Sequence, residues 1–142
     1  MSRAFDFDHF LQAAGDAIIA AGADGKIIFW NTAAERIFGY SSSEALGQSL
    51  DLIIPERFRQ RHWQGYRQVM ETGQTRYGSD VLKVPAIHKE GRTLSIAFTV
   101  TLIYSADRRI ENIVAIARDE TKRWQDEQAL RKRIAELEAN RS

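Results

Sequence analysis

The stretch AIIAAGADGKIIFWNTAAERIFGYSSSEAL, residues 17–46, decides the fold class. Two β-rich apolar runs flank ADGK, and Asp24-Gly25 is a strong hairpin signal because its residues accept the backbone angles of a tight reversal. The pattern then changes from strand to helix. Thr32 and Glu35 form a T-x-x-E capping box that opens a helix over AAERIF, and Gly39 is placed to close it. Ser41 and Glu44 repeat the device around a single helical turn.

On the N-terminal side, FDFDHFLQAA (5–14) spaces Phe7, Phe10 and Leu11 as a short amphipathic helix does. On the C-terminal side, PERFRQRHWQGYRQVMETG (55–73) reads as a long helix. Pro55 sits at its first position, Glu56 favours its positive end, and Gly73 stops it. Three strand-like runs follow, SDVLKVPAI, RTLSIAFTVTLIY and NIVAIAR, with turns at HKEGR and SADRR. Pro85 has no N–H for a ladder, so its strand is predicted at a sheet edge or at a bulge. The order β-β-α-α-α-β-β-β predicts an α+β domain, an antiparallel sheet with helices packed on one face.

The expected organisation is an N-terminal flanking helix over 1–14, one domain over 15–120 and a highly charged C-terminal helix over 121–142. In that last helix Leu130, Ile134 and Leu137 stand four and three residues apart, the spacing of a coiled-coil seam, over about two heptads.

Composition narrows the functions. None of the 142 residues is cysteine, which excludes disulfides, thiolate metal sites and cysteine nucleophiles. The net charge of +1 offers no electrostatic case for nucleic acid or a membrane surface. Apolar runs are too short to span a bilayer, and the N-terminus lacks a basic leader, so a soluble cytoplasmic protein is expected. There is no P-loop, no G-x-G-x-x-G, no Ser/His/Asp motif and no paired carboxylates at an apolar site, so no enzyme is expected. No residues are left over for an output domain, which is expected to be absent or supplied by a partner.

Together, W-N-x-A-x-x-x-x-F-G-Y with the following S-x-x-E-x-x-G, the helix ending in METG, the KEG turn and ARDET before a charged helix resemble a PAS domain. The resemblance covers roughly residues 11 to 122. It implies a five-stranded antiparallel sheet cupping a pocket under its helices, the sensing of a ligand, cofactor or partner, and a homodimer formed through flanking helices. The family's flavin photochemistry needs a cysteine in the region that reads LDLIIP here, so a flavin–cysteinyl adduct is excluded.

Pro55 to Gly91 is similar to the haem-binding FixL-type branch. That likeness implies a b-type haem with His62 as axial ligand and Arg76 beside a propionate. It further implies Phe98 and Val100 on the distal wall, with Tyr77 where that wall usually has isoleucine. Leu82 stands where the branch has an oxygen-stabilising arginine, which makes carbon monoxide, nitric oxide or redox state as plausible a signal as oxygen. At the ARDET junction the likeness implies that Asp119 pairs with a basic group and, with Thr121, couples the pocket to the tail.

The residues of the long helix read independently. Phe58, His62, Gly65 and Val69 recur at +4, +3 and +4 and make one face. His62 on that face is a haem ligand, a packing histidine with a satisfied hydrogen bond, or a polar contact to another small ligand. Gly65 costs about 1 kcal/mol against alanine in a helix interior. Either a flat ligand close to the backbone or dense packing against the sheet would explain it. Trp30, Trp63 and Tyr66 are read mainly as core or interface, His88 as a solvated turn residue and His9 as a helix residue without a site role. Asp119 and Thr121 would cap the last helix in any case. The competing functions are a cofactor-free interaction or dimerisation module whose pocket is filled by Phe98, Val100 and Leu82, and, more distantly, a small-molecule carrier or enzyme.

Overall fold

The computed structural model describes residues 4–74 and 80–141. Helix α1 (Phe7–Ala13) starts on an Asp6 cap, whose carboxylate accepts from the His9 N–H. Strands β1 (Ala17–Gly22) and β2 (Ile27–Trp30) form the hairpin, with Gly25 at φ +79° in its turn. Helices α2 (Thr32–Phe38) and α3 (Ser42–Ala45) follow, then two 3-10 turns at Leu50–Ile53 and Glu56–Phe58. The long helix α4 (Arg59–Thr72) leads to β3 (Leu82–Ile87), β4 (Thr93–Tyr104), β5 (Ile110–Asp119) and α5 (Thr121–Ala139). Pro55 thus precedes a 3-10 turn, and α4 proper begins at Arg59.

The five strands make one antiparallel sheet in the order β2-β1-β5-β4-β3. Pro85 lies opposite Ser95 in the edge strand β3, the place a residue without an N–H tolerates best. The Ser41/Glu44 capping box is formed in both directions. The Thr32 box is not. Asn31 caps α2 instead, and Glu35 accepts from the Ser42 N–H at 2.6 Å. Asn31 wins because its amide serves more than the helix. Its Oδ1 accepts from Ile18 N (2.9 Å) and Ala34 N (3.0 Å), and its Nδ2 donates to Leu11 O (2.9 Å) and Asp16 O (3.1 Å).

On the inner sheet face Ala17, Ile19, Leu94, Ile96, Ala86 and Ala117 pack with Trp30, Ala34 and Phe38 into a dry core. Alternation puts Phe98, Val100 and Leu102 on the same face of β4, yet burial falls along it. Leu94 and Ile96 are buried, while the next three inward residues are only half-buried. Strand β5 follows suit, from buried Ala117 to half-buried Ala115 and Ile113. The sheet is therefore a cup, sealed at the α2 end and looser at the other.

Asn31→Ala should lower the unfolding free energy by about 3 kcal/mol, since it strands buried backbone groups as well as removing a cap. Urea unfolding would measure this. Asn31→Asp, which keeps the acceptor and loses both donors, should fall between alanine and wild type.

Candidate functional site

Helix α4 closes the loose end of the cup and is tied there at three points. Trp63 Nε1 donates to Asp51 Oδ1 at 2.7 Å. Tyr66 Oη donates to Gly22 O, at the end of β1, at 2.5 Å. Tyr104 Oη, at the end of β4, donates to Gly73 O at 2.9 Å. The Trp63 ring also presses on the hairpin turn. A Cβ at Gly25 would lie 2.2 Å from its Cη2, so this position needs glycine for space as well as for its positive φ.

These ties leave Tyr66 as the one buried residue of α4 among the described residues, with Phe58, His62 and Val69 half-buried beside it. Gly65 is exposed, and a Cβ there would meet nothing within 4 Å. Dense packing against the sheet is therefore not the reason for this glycine, because the helix rotates about Tyr66 and carries Gly65 to its open flank.

The His62 ring lies edge-on to Trp63, 4.7 Å between centroids at 76°, and tilted to Tyr66 at 5.7 Å. Its Nδ1 is buried and, among the described residues, has no hydrogen-bond partner. Burial pushes the imidazole below its ordinary pKa, and the Asp51 carboxylate pulls weakly the other way. Burial thus favours the neutral imidazole at pH 7. The Tyr66 hydroxyl is pushed up to about 12, first by burial and then by Asp24, so it remains a donor.

Leu82 and Phe98 are cross-strand neighbours on the inner face, and Val100 follows on β4. All three are half-buried, and Val84 next to them is 40% exposed. The aromatic rings that His62 meets are those of Trp63 and Tyr66. Arg76 and Tyr77 lie outside the described residues. Two hollows lie elsewhere. One of about 400 Å³ is lined by Phe5, His9 and Phe10 at α1, and one of about 250 Å³ by Val81, Ala97 and Ile116 on the outer sheet face. Among the described residues no three His, Cys, Asp or Glu side chains are grouped to hold a metal ion.

A model of the PAS fold matches residues 6–119. The chain belongs to the PAS fold family. It is 44% identical over 52 residues to the sensor protein FixL of Bradyrhizobium diazoefficiens, a match over 37% of this chain and 10% of that one. It is 28% identical over 94 residues to the oxygen sensor protein DosP of Escherichia coli, covering 66% and 12% of the two chains. The chain thus spans between about a tenth and a sixth of the length of the curated relatives it matches. In fold it is similar to the PAS domain of a Colwellia psychrerythraea protein, with a TM-score of 0.71, 24% identity and coverage of 82% and 95%.

This PAS chain departs from expectation at two further residues. His88 is no solvated turn residue, being only 6% exposed. Its Nδ1 accepts from the Glu90 N–H at 3.0 Å, and its ring lies against the C-cap of α2, where a Cβ on Gly39 would come within 2.5 Å. Among the described residues Asp119 pairs with no basic group. Its carboxylate accepts from Thr121 N at 2.9 Å, while the neighbouring Arg118 makes the ion pair, a two-pronged one to Asp16 at 3.1 and 3.2 Å. Thr121 Oγ1 accepts from Ser95 N (3.0 Å) and Glu120 N donates to Ser95 O (2.8 Å), so the start of α5 is fastened to β4. Trp30 is core, its Nε1 donating to Tyr40 O. Asp51 had no signal in LDLIIP beyond its charge. The signal was in Trp63, whose indole N–H needs an acceptor when the ring is covered.

The depressed pKa of His62 has a defined consequence for stability. Below its ordinary value near 6.5 the unfolded chain binds a proton that the folded ring resists, so unfolding takes up protons and stability falls as the pH drops through that range. Denaturation midpoints between pH 7 and 5 should decline more in wild type than in His62→Leu. A parallel decline in both would assign the pH dependence to other groups.

Proposed function

We propose that this PAS chain is a sensory module in which His62 meets the sensed ligand, in its sharpest form as the axial ligand of a b-type haem. The observation that carries the reading is the neutral ring of His62, whose Nδ1 is buried without a partner at the loose end of the cup. The donor chemistry fits the group: a neutral imidazole is a good iron ligand, and Leu82, Phe98 and Val100 offer a half-buried apolar wall on the inner sheet face. The haem would supply a redox-active iron able to take a diatomic gas. The kinship with FixL and DosP, both named as sensors, supports the same reading. Leu82 brings no charged donor to the wall, which makes carbon monoxide, nitric oxide or redox state as plausible a signal as oxygen.

The chain's own residues supply the transmission. Phe98 and Val100 share β4 with Ser95, to which Thr121 and Glu120 fasten α5. A change in how α4 and the wall fit would shift β4 and bias the packing of α5 between two states. In a homodimer, Leu130, Ile134 and Leu137, each at least half exposed in the single chain, would form the seam. A second reading, a cofactor-free interaction module, is favoured by two hollows lying away from His62 and by that same exposed seam.

Purified wild type titrated with hemin should develop a Soret band that His62→Ala loses or shifts. A spectrum indifferent to the mutation overturns axial ligation and leaves the interaction module. Independently of haem, replacing Leu130 and Leu137 by polar residues should convert a dimer to a monomer in sedimentation. An unchanged sedimentation coefficient would remove α5 from the interface.

A further inference from the structure

A histidine that binds a metal nearly always donates its other ring N–H to a carboxylate or carbonyl, and this bond fixes the ring. His62 has no such bond at its buried Nδ1. Something else holds the ring, and the structure offers one candidate. The Trp63 and His62 rings stand at 76° with centroids 4.7 Å apart, and the indole is itself held on two sides, by Asp51 at 2.7 Å and by the hairpin turn at Gly25. Asp51 is braced in turn by Arg59, whose Nε lies 4.0 Å from Oδ1 and whose Nη2 donates to Asp51 O at 3.3 Å. Tyr66, fastened to Gly22, completes the corner from the other side, 5.2 Å from Trp63.

We propose that Asp51 and Trp63 are the positioning pair of the site: the Asp51 carboxylate locks the indole, and the indole ring sets the direction of the His62 ring in place of a hydrogen bond to its second nitrogen. The pair touches no ligand and acts only through His62. This rests on the reading of His62 as the group that meets the ligand. It adds that the acceptor function of Asp51, rather than its negative charge, tunes the site. Asparagine should therefore replace it and alanine should not.

The test uses the full chain as wild type, Asp51→Ala, Asp51→Asn and Trp63→Phe, with two readouts. In the haem-free protein, nuclear Overhauser contacts between the His62 and Trp63 ring protons report the corner directly. They should persist in Asp51→Asn and disappear in Asp51→Ala. In Trp63→Phe, which keeps a ring but drops the N–H, the corresponding contacts to the new ring should likewise be absent. With hemin as the probe, affinity should fall about 10-fold in Asp51→Ala and Trp63→Phe, the lower end of what outer-shell partners of metal ligands contribute, and stay near wild type in Asp51→Asn. Contacts or affinity that survive in both Asp51→Ala and Trp63→Phe overturn the proposal, as does an Asp51→Asn variant no better than alanine. Should Asp51→Ala not fold, the contrast between Asp51→Asn and Trp63→Phe decides. Wild type that takes up no hemin sinks the haem reading alone, and the ring contacts of the haem-free variants then decide the positioning pair.

Discussion

Four segments meet at the side chain of Asn31. The end of α1, the approach to β1, β1 itself and the first turn of α2 each place one backbone group on its amide, two as donors and two as acceptors. A fully buried amide has two donor hydrogens and two acceptor lone pairs, and here all four sites are used. No other residue type of that size has both functions, so the seal of the cup's closed end depends on a single side chain. Because that end is fixed, the looser fit of Val100, Leu102, Ala115 and Ile113 is a property of the other end alone.

That asymmetry places chemistry and stability in different parts of the molecule. The core holds Trp30, Phe38 and Ile27, among the largest fully buried side chains, and the buried His88 ring locks the β3–β4 turn to the end of α2. The loose end is held by polar ties at the edges of α4, from Trp63, Tyr66 and Tyr104, around a wall that is only half covered. Hydrogen bonds of this kind contribute about 1 kcal/mol each, so such an end opens locally at less cost than a packed core. A sensing site belongs where the fold is cheapest to rearrange.

The fold was legible wherever one residue type has one use. Asp24-Gly25 marked the hairpin, Pro85 the edge strand and Ser41/Glu44 a capped turn, and each is found so. The misreadings arose where a local pattern competes with a distant partner. Thr32 satisfies a capping box on paper, but Asn31, one residue earlier, reaches groups up to twenty residues away. His88 looked solvated because its neighbours are Lys89 and Glu90, whereas its ring is covered by Gly39 from a different element. At the site, the +4, +3, +4 spacing found the flank that carries His62 but not its centre. Periodicity gives the angles between residues and not the rotation of the whole helix, which the Tyr66 tie to Gly22 sets.

The tail poses the complementary problem. Helix α5 runs for nineteen residues with no buried residue, and it is fastened to the sheet through its first turn. Its ion pairs, Lys122 with Asp126, Arg123 with Glu127 and Arg133 with Glu136, are exposed and contribute only a few tenths of a kcal/mol each. An isolated helix of this length is marginal in water. Leu130, Ile134 and Leu137 stand on one stripe at 63%, 54% and 50% exposure, so the apolar surface that could stabilise it is present and uncovered in the single chain. In the proposed dimer, α5 would take its stability from a second helix and its position from Ser95, and would be sensitive to both. A shift of β4 at Ser95 would then either bend α5 or change how the two stripes meet, and the second would cost less because the seam is only about two heptads long.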